Sequence, residues 1–173
     1  MENKISNRYW IWGQFDDFSM DQLNLIYKRV NKSLKGPLFN IHLTLSGPIK
    51  KTDEAIHKFD SLKGKINSID IFTNKYSYSD KFYQSLYINI KKTKDLKALK
   101  FNIDKKFNLR KTIYDPHISL YYGNSNEITK TKLIKTLPKT PKILSLNKLC
   151  LVNVNEKINK WKIEHKLILS NYD

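Results

Sequence analysis

The sequence His-Leu-Thr-Leu at residues 42–45 recurs, in the same pattern of residue types, as His-Ile-Ser-Leu at residues 117–120. Residues two apart on a β-strand lie on the same face, so each copy presents one imidazole and one hydroxyl together. These polar pairs are His42 with Thr44 and His117 with Ser119. Two such strands facing each other would provide two proton-transfer groups and two neutral hydrogen-bond donors, which suit acid–base chemistry on an anion.

The chain around these motifs has the composition of a folded domain. Its 173 residues are 40% hydrophobic and 12% aromatic, enough for one domain with a substantial core. Cys150 is the single cysteine, so no internal disulfide forms. Residues 1–15 lack the layout of a signal peptide, and no apolar run is long enough to span a bilayer. We therefore expect a cytoplasmic protein that does not associate with membranes.

The charge of the chain allows two interpretations. The formal net charge is +16, from 32 lysines and arginines against 16 acidic residues. Such an excess favours a phosphate-bearing substrate or a nucleic acid, which the long-range field would attract. The alternative is a compositional bias, because lysine, asparagine and isoleucine are all abundant while glycine is scarce.

Strand-like and helix-like patterns alternate along the chain, and no linker divides it. Strands are predicted at 8–15, 39–45, 66–76, 82–90, 117–122, 143–154 and 160–169. Helices are predicted to begin near Met20 and Ser125, and two more are predicted to begin after Thr52 and Thr93, which can act as N-caps. Ser19 and Gln22 match a capping box before the first helix, and Gly47-Pro48 is expected to end the first motif strand. Because hairpins and helices both connect the strands, we expect an α+β fold.

Other catalytic patterns are missing from the sequence. His57 and His165 have no hydroxyl residue two positions on, and we interpret them as structural. There is no CxxC or HExxH pattern and no carboxylate cluster beside the motif histidines, so no metal site is predicted. Ser46 and Ser119 lack the strained G-x-S-x-G turn of a serine nucleophile. With neither a P-loop nor a GxGxxG pattern, no cofactor is expected.

The two copies of His-Φ-[Ser/Thr]-Φ, where Φ is hydrophobic, resemble the paired motifs of the 2H phosphoesterase superfamily. Within it, the sequence is most similar to the cyclic phosphodiesterases that act on ADP-ribose 1″,2″-cyclic phosphate and nucleoside 2′,3′-cyclic phosphates. The resemblance extends from Tyr9-x-x-Trp12 through 39–44, 82–87 and 116–122 to Trp161. One departure is Ile41, which stands where the plant enzymes of this group carry proline.

The resemblance implies a single domain over residues 1–173 with two pseudo-symmetric lobes. Each lobe would contain an antiparallel sheet with helices on the outside, and the motif strands would line a central active-site groove. It also implies a metal-independent reaction in which His42 and His117 divide the roles of general base and general acid, in an order that the sequence leaves open. Thr44 and Ser119 would hydrogen-bond the phosphate oxygens.

Two aromatic residues are candidates for the substrate pocket. Trp12 and Tyr122 would stack on a base or shape the walls, while core packing is the alternative for both. Tyr122 has the opposite parity from His117 and Ser119. It therefore reaches the groove only if the strand ends or twists near Gly123.

Three functions remain open from the sequence. The first is hydrolysis of a small cyclic nucleotide or a short oligonucleotide by a monomeric enzyme, with weak RNA binding through its basic surface and a role in RNA processing. The second keeps this chemistry but cleaves 2′,5′-oligoadenylate or cyclic nucleotides of antiviral signalling. The third is a non-catalytic, basic RNA-binding module in which both motif histidines are structural.

Overall fold

The computed structural model of the protein describes residues 8–170, so the two ends of the domain predicted over 1–173 lie outside the described residues. Its strands are β1 Arg8–Phe15, β2 Leu43–Lys50, β3 Ile69–Tyr78, β4 Leu86–Ile90, β5 His117–Tyr121, β6 Ile143–Asn153 and β7 Lys162–Ile168. Its α-helices are α1 Asp17–Leu34, α2 Asp53–Asp60, α3 Lys94–Lys106 and α4 Glu127–Ile134. Each strand and helix predicted from the sequence is present, although several boundaries differ.

The seven strands of residues 8–170 form one antiparallel sheet in the order β1-β2-β5-β4-β3-β6-β7. Strand β1 also pairs with β6, so the sheet closes into a ring. The α+β prediction is therefore confirmed, but the prediction of two lobes with separate sheets is wrong. Strand β6 is the reason, because its eleven residues pair with β3 at 143–146 and with both β1 and β7 further along.

The core lies between this sheet and the helices that cover its outer face. Aliphatic residues of α1 and α3 belong to the same buried cluster as the aliphatic residues of the two motif strands, namely Leu23, Ile26, Val30, Leu96, Leu99, Ile103, Leu43, Leu45, Ile118 and Leu120. Burial of these side chains fixes which face of β2 and β5 points inward, since slipping either strand by one residue would expose its whole apolar set. No helix within residues 8–170 combines the length and the apolar character needed to cross a bilayer.

The two motif strands are neighbours in the sheet. They join through one antiparallel pair, Leu43 with Ile118, and both side chains are fully buried. In this register His42 lies across from Ser119, and Thr44 lies across from His117. Both polar pairs therefore share one face of the sheet, opposite the core.

Two of the predicted helix caps are confirmed. The hydroxyl groups of Thr52 and Thr93 accept hydrogen bonds from backbone N–H groups three residues further on, as N-caps do. The capping box at Ser19 is wrong, because Asp16 caps α1 and Ser19 lies inside its first turn. The fourth helix begins close to Ser125, as predicted, with Asn126 as its N-cap.

Strand β2 does not end at Gly47-Pro48, as the sequence suggested, but continues to Lys50. Its pairing with β1 is irregular here, since Tyr9 pairs with Ile49 whereas Ile11 pairs with Ser46. A bulge of this kind tolerates proline because one residue is left outside the ladder of hydrogen bonds. The strand therefore begins later and ends later than predicted.

Replacing Leu43 tests how much the junction of β2 and β5 contributes to stability. Leu43→Ala should lower the free energy of unfolding by about 3 kcal/mol, because it removes a fully buried side chain and leaves a cavity. Leu43→Met keeps the volume and should lower it by less than about 1.5 kcal/mol. Chemical denaturation followed by circular dichroism measures both, and equal losses for the two variants would contradict this account.

Candidate active site

A cavity of about 340 Å³ opens on the polar face of the motif strands. It is lined by all six residues predicted from the sequence to form the site: Trp12, His42, Thr44, His117, Ser119 and Tyr122. Five further residues line it as well: Trp10, Tyr83, Val154, Glu156 and Trp161. The cavity therefore combines two imidazoles and two hydroxyl groups with an aromatic wall.

Both motif histidines are held in the same way. Nδ1 of His42 lies 2.6 Å from the backbone oxygen of Asn40, and Nδ1 of His117 lies 2.7 Å from that of Asp115. A carbonyl oxygen only accepts, so each Nδ1 carries the hydrogen. In the neutral form of each ring Nε2 is then unprotonated, and it is the nitrogen left to exchange a proton with a ligand.

The two rings differ in their surroundings. His42 is buried and stacks on Trp12, with ring centroids 3.6 Å apart and an interplanar angle of 6°. Phe39 meets His42 edge-on from another side. His117 is half-buried, and its aromatic neighbour is Tyr87, whose ring lies edge-on at 5.3 Å.

These surroundings lower the pKa of both histidines by different amounts. Burial lowers the pKa of His42 to about 4, which the Asn40 carbonyl opposes and the nearby His117 reinforces. Burial also lowers the pKa of His117, but the carbonyl and the carboxylate of Asp115 act in the opposite direction. The charge of Lys81 lowers it further. The neutral form is therefore favoured more in His42 than in His117.

The two hydroxyl groups also differ. Ser119 donates its hydrogen to the backbone oxygen of Tyr83 at 3.0 Å. Among residues 8–170 no group hydrogen-bonds to the Thr44 hydroxyl, while the Thr44 backbone oxygen accepts from the hydroxyl of Tyr114 at 3.2 Å. Thr44 can therefore donate to a ligand directly, whereas Ser119 must first turn away from Tyr83.

A buried polar network supports Thr44 from behind. Asp104 accepts from the hydroxyl of Ser46 at 2.6 Å and from Nζ of Lys100 at 2.8 Å. Lys100 in turn lies 5.0 Å from the ring centre of Tyr114, the residue that binds the Thr44 carbonyl. Ser46 is thus occupied by a carboxylate outside the cavity, consistent with the absence of a nucleophile motif around it.

Tyr122 reaches the cavity through a bulge in β5. Ser119 pairs with Tyr87 and Tyr121 pairs with the adjacent Leu86, so Leu120 is an extra residue in the ladder. The bulge reverses the alternation, which sends Tyr121 into the core and turns Tyr122 toward the cavity. There the ring of Tyr122 stacks on that of Phe39, with centroids 3.9 Å apart.

Tyr83 and Trp161 line the cavity, although the sequence pattern did not assign them to a site. Tyr83 was expected in a strand but lies in a 3₁₀ helix, Phe82–Gln84, which precedes β4. Trp161 follows a second 3₁₀ helix, Ile158–Lys160, and its ring lies 6.2 Å from Tyr83 and 5.8 Å from Trp12. Neither position follows from periodicity. Trp10 had a usable signal, since it is two residues from Trp12 on β1 and therefore shares its face.

The charge of the cavity contrasts with that of the protein. Within residues 8–170, Glu156 is the single acidic residue of the lining, and no lysine or arginine belongs to it. The described residues also contain no group of three or more histidine, cysteine, aspartate or glutamate side chains that could hold a metal ion. The polar chemistry of the cavity comes from imidazoles, hydroxyl groups and one carboxylate.

Comparisons with known proteins find similarity in structure but not in sequence. No protein-family model matches the sequence, and no curated protein matches it. The crystal structure of E. coli LigT matches with a TM-score of 0.65 at 14% identity, over 95% of this chain and 98% of that one. The chain has the fold of the 2H phosphoesterases. The resemblance drawn from the sequence is confirmed at this level.

Other matches extend over the same length. A crystal structure described as a phosphoesterase matches with a TM-score of 0.66 at 12% identity, over 96% of this chain and 100% of that one. The protein TT0787 of Thermus thermophilus matches with a TM-score of 0.62 at 13% identity and the same coverage. E. coli LigT has also been crystallised with 3′-AMP, with ATP and with NADP⁺. The 2H phosphoesterase fold therefore covers nearly the whole described chain.

The surroundings of the two histidines predict how they titrate. In an NMR titration His42 should change protonation near pH 4, and His117 should do so below its ordinary pKa of 6.5. Asp115→Asn should lower the pKa of His117 further, because it removes the carboxylate that favours the imidazolium. Lys81→Gln should raise it. Shifts of the same sign in both variants would contradict this assignment of causes.

Proposed function

We propose that the protein is a cyclic phosphodiesterase that opens ADP-ribose 1″,2″-cyclic phosphate or a nucleoside 2′,3′-cyclic phosphate by hydrolysis. The observation that carries the proposal is the pair of imidazoles, His42 and His117, which line one cavity with Nδ1 held by a backbone carbonyl in each. Two proton-transfer groups beside one phosphorus match the needs of phosphodiester hydrolysis, in which one proton is removed and another is supplied.

The environments support a division of labour between the two histidines. His42 is the general base, because burial against Trp12 favours its neutral form at ordinary pH. His117 is the general acid, because it is half-buried and the Asp115 carboxylate favours its charged form. A general base must be neutral, and the surroundings favour the neutral form more in His42. A general acid must be protonated, and the surroundings favour the protonated form more in His117.

The proposed reaction needs no covalent intermediate. Nε2 of His42 takes a proton from water while the water oxygen bonds to phosphorus. The bond from phosphorus to one ribose oxygen breaks, and that oxygen takes the proton of His117 Nε2. His42 then releases its extra proton to solvent and His117 takes one up, which restores the neutral His42 and the charged His117.

The hydroxyl groups of Thr44 and Ser119 donate hydrogen bonds to the non-bridging phosphate oxygens, which take no part in bond breaking. Negative charge builds on these oxygens during attack, and preorganised donors stabilise it. Thr44 is held by the Tyr114 contact to its backbone and is ready to donate. Ser119 exchanges the Tyr83 carbonyl for the phosphate when substrate binds.

The aromatic wall supports a nucleotide as the rest of the substrate. Trp12, Tyr122, Tyr83 and Trp161 offer faces and edges on which a base can pack. E. coli LigT, which has the same fold, binds 3′-AMP and NADP⁺ in crystals. A nucleoside cyclic phosphate would place its phosphate at the histidines and its base on this wall.

Substitution of either motif histidine tests the proposed chemistry. His42→Ala and His117→Ala should each lower kcat by about 100- to 10,000-fold, which is the usual contribution of a general acid or base. Hydrolysis of a panel of cyclic phosphates and 2′,5′-linked dinucleotides is measured with EDTA present, and ³¹P NMR gives the position of the product phosphate. His57→Ala is the matched control, because His57 is exposed on α2 and does not line the cavity.

Two outcomes would contradict the proposal. If the wild-type protein hydrolyses no member of the panel, the reaction is wrong. If both histidine variants bind single-stranded RNA as tightly as the wild type and none of the proteins hydrolyses it, a non-catalytic RNA-binding module is the better description. Cleavage restricted to 2′,5′-linked dinucleotides would keep the catalytic residues but change the substrate.

The assignment of base and acid has its own test. A p-nitrophenyl ester of a nucleoside 3′-phosphate releases a leaving group that needs no proton. The loss caused by His117→Ala should therefore be at least about tenfold smaller on this ester than on the cyclic phosphate. The loss caused by His42→Ala should be the same on both substrates. The reverse pattern in single-turnover kinetics would exchange the two roles.

A further inference from the structure

Glu156 is an unexpected residue in a cavity proposed to bind a phosphate ester. The protein carries a net charge of +16, yet the single acidic residue of the described lining is this glutamate, and no lysine or arginine lines the cavity with it. A carboxylate near an anionic ligand is unfavourable unless the ligand also brings hydrogen-bond donors to it. Glu156 is largely exposed and lies 3.6 Å from Lys160, so its carboxylate stands at the rim, where it can accept hydrogen bonds from a part of the substrate that presents donors.

The turn that carries Glu156 is internally braced. The backbone oxygen of Glu156 accepts from Nε1 of Trp161 at 3.0 Å, which holds the backbone of residue 156 beside the aromatic wall. Lys160 lies 3.6 Å from the Glu156 carboxylate. Before them in the chain, Asn155 bonds through its backbone N–H and its side chain to Oδ1 of Asn153, at the end of β6. Glu156 and Trp161 therefore line the same part of the cavity, so a base that packs on Trp161 would have Glu156 as a neighbour.

We infer that Glu156 selects guanine, by accepting hydrogen bonds from the base edge while the base packs against Trp161. This inference rests on the proposed function, because it names the base of the nucleotide whose phosphate His42 and His117 would hold. It makes Glu156 a specificity-determining residue and not a catalytic one.

The four bases differ in what they offer to a carboxylate. Guanine presents two adjacent donors, N1–H and N2–H, which match the two oxygens of a carboxylate in a bidentate pair. Adenine and cytosine present one amino donor beside a ring nitrogen that only accepts. Uracil presents one donor between two carbonyl oxygens, which repel a carboxylate. The expected order is guanine first, adenine and cytosine next, and uracil last.

The experiment compares the nucleoside 2′,3′-cyclic phosphates of the four bases. In the wild type, kcat/KM for the guanosine substrate should exceed that for the uridine substrate by about tenfold or more. Glu156→Gln should remove most of this ratio, because an amide offers one acceptor and one donor group instead of two acceptors. Glu54→Gln is the matched control, since Glu54 is also exposed and paired with a lysine four residues on, Lys58, outside the cavity. It should leave the ratio unchanged.

A binding measurement separates this inference from the proposed reaction. All three tryptophans of the chain line the cavity, so quenching of their fluorescence reports binding of guanosine and uridine 3′-monophosphates. A guanine preference that Glu156→Gln abolishes supports the inference even if no cyclic phosphate is hydrolysed, in which case the proposed reaction alone fails. Equal affinities for the two nucleotides in the wild type, or a guanine preference that survives in Glu156→Gln, would overturn the inference.

Discussion

The backbone pair between Leu43 and Ile118 is the constraint on which the candidate site depends. It is the one described pair that joins β2 to β5, and it lies midway between the polar residues of each motif. Antiparallel register around this pair places each histidine across from the hydroxyl residue of the other copy. Burial of both side chains in the core then turns all four polar groups toward the cavity.

Much of this arrangement could be predicted from the sequence because it depends on alternation. A period of two assigns His42, Thr44, His117 and Ser119 to one face, whatever the exact ends of the strands. Alternation failed at Tyr122, since the extra residue Leu120 in the ladder reverses the parity beyond it. A bulge depends on how two strands pair, and the pattern of one strand carries no information about it.

Features that depend on long-range pairing were also beyond the sequence pattern. The ring closes because β1 pairs with β6, more than a hundred residues away, and this choice of partner has no local signal. The aromatic wall likewise combines Tyr83, which lies in one 3₁₀ helix, with Trp161, which follows another, and periodicity predicts neither helix. The sequence thus predicted the face of the cavity that carries the histidines and hydroxyl groups better than its aromatic wall.

The two motifs are alike, but their surroundings differ, and this difference makes the two histidines unequal in protonation. Both rings donate from Nδ1 to the backbone carbonyl two residues earlier, so the same tautomer is fixed in both histidines. Trp12 covers His42, whereas a carboxylate accompanies the half-buried His117. A reaction that removes one proton and supplies another needs unlike partners. Two copies of one motif can meet that need only because neighbouring residues, which the motif does not include, make their protonation unequal.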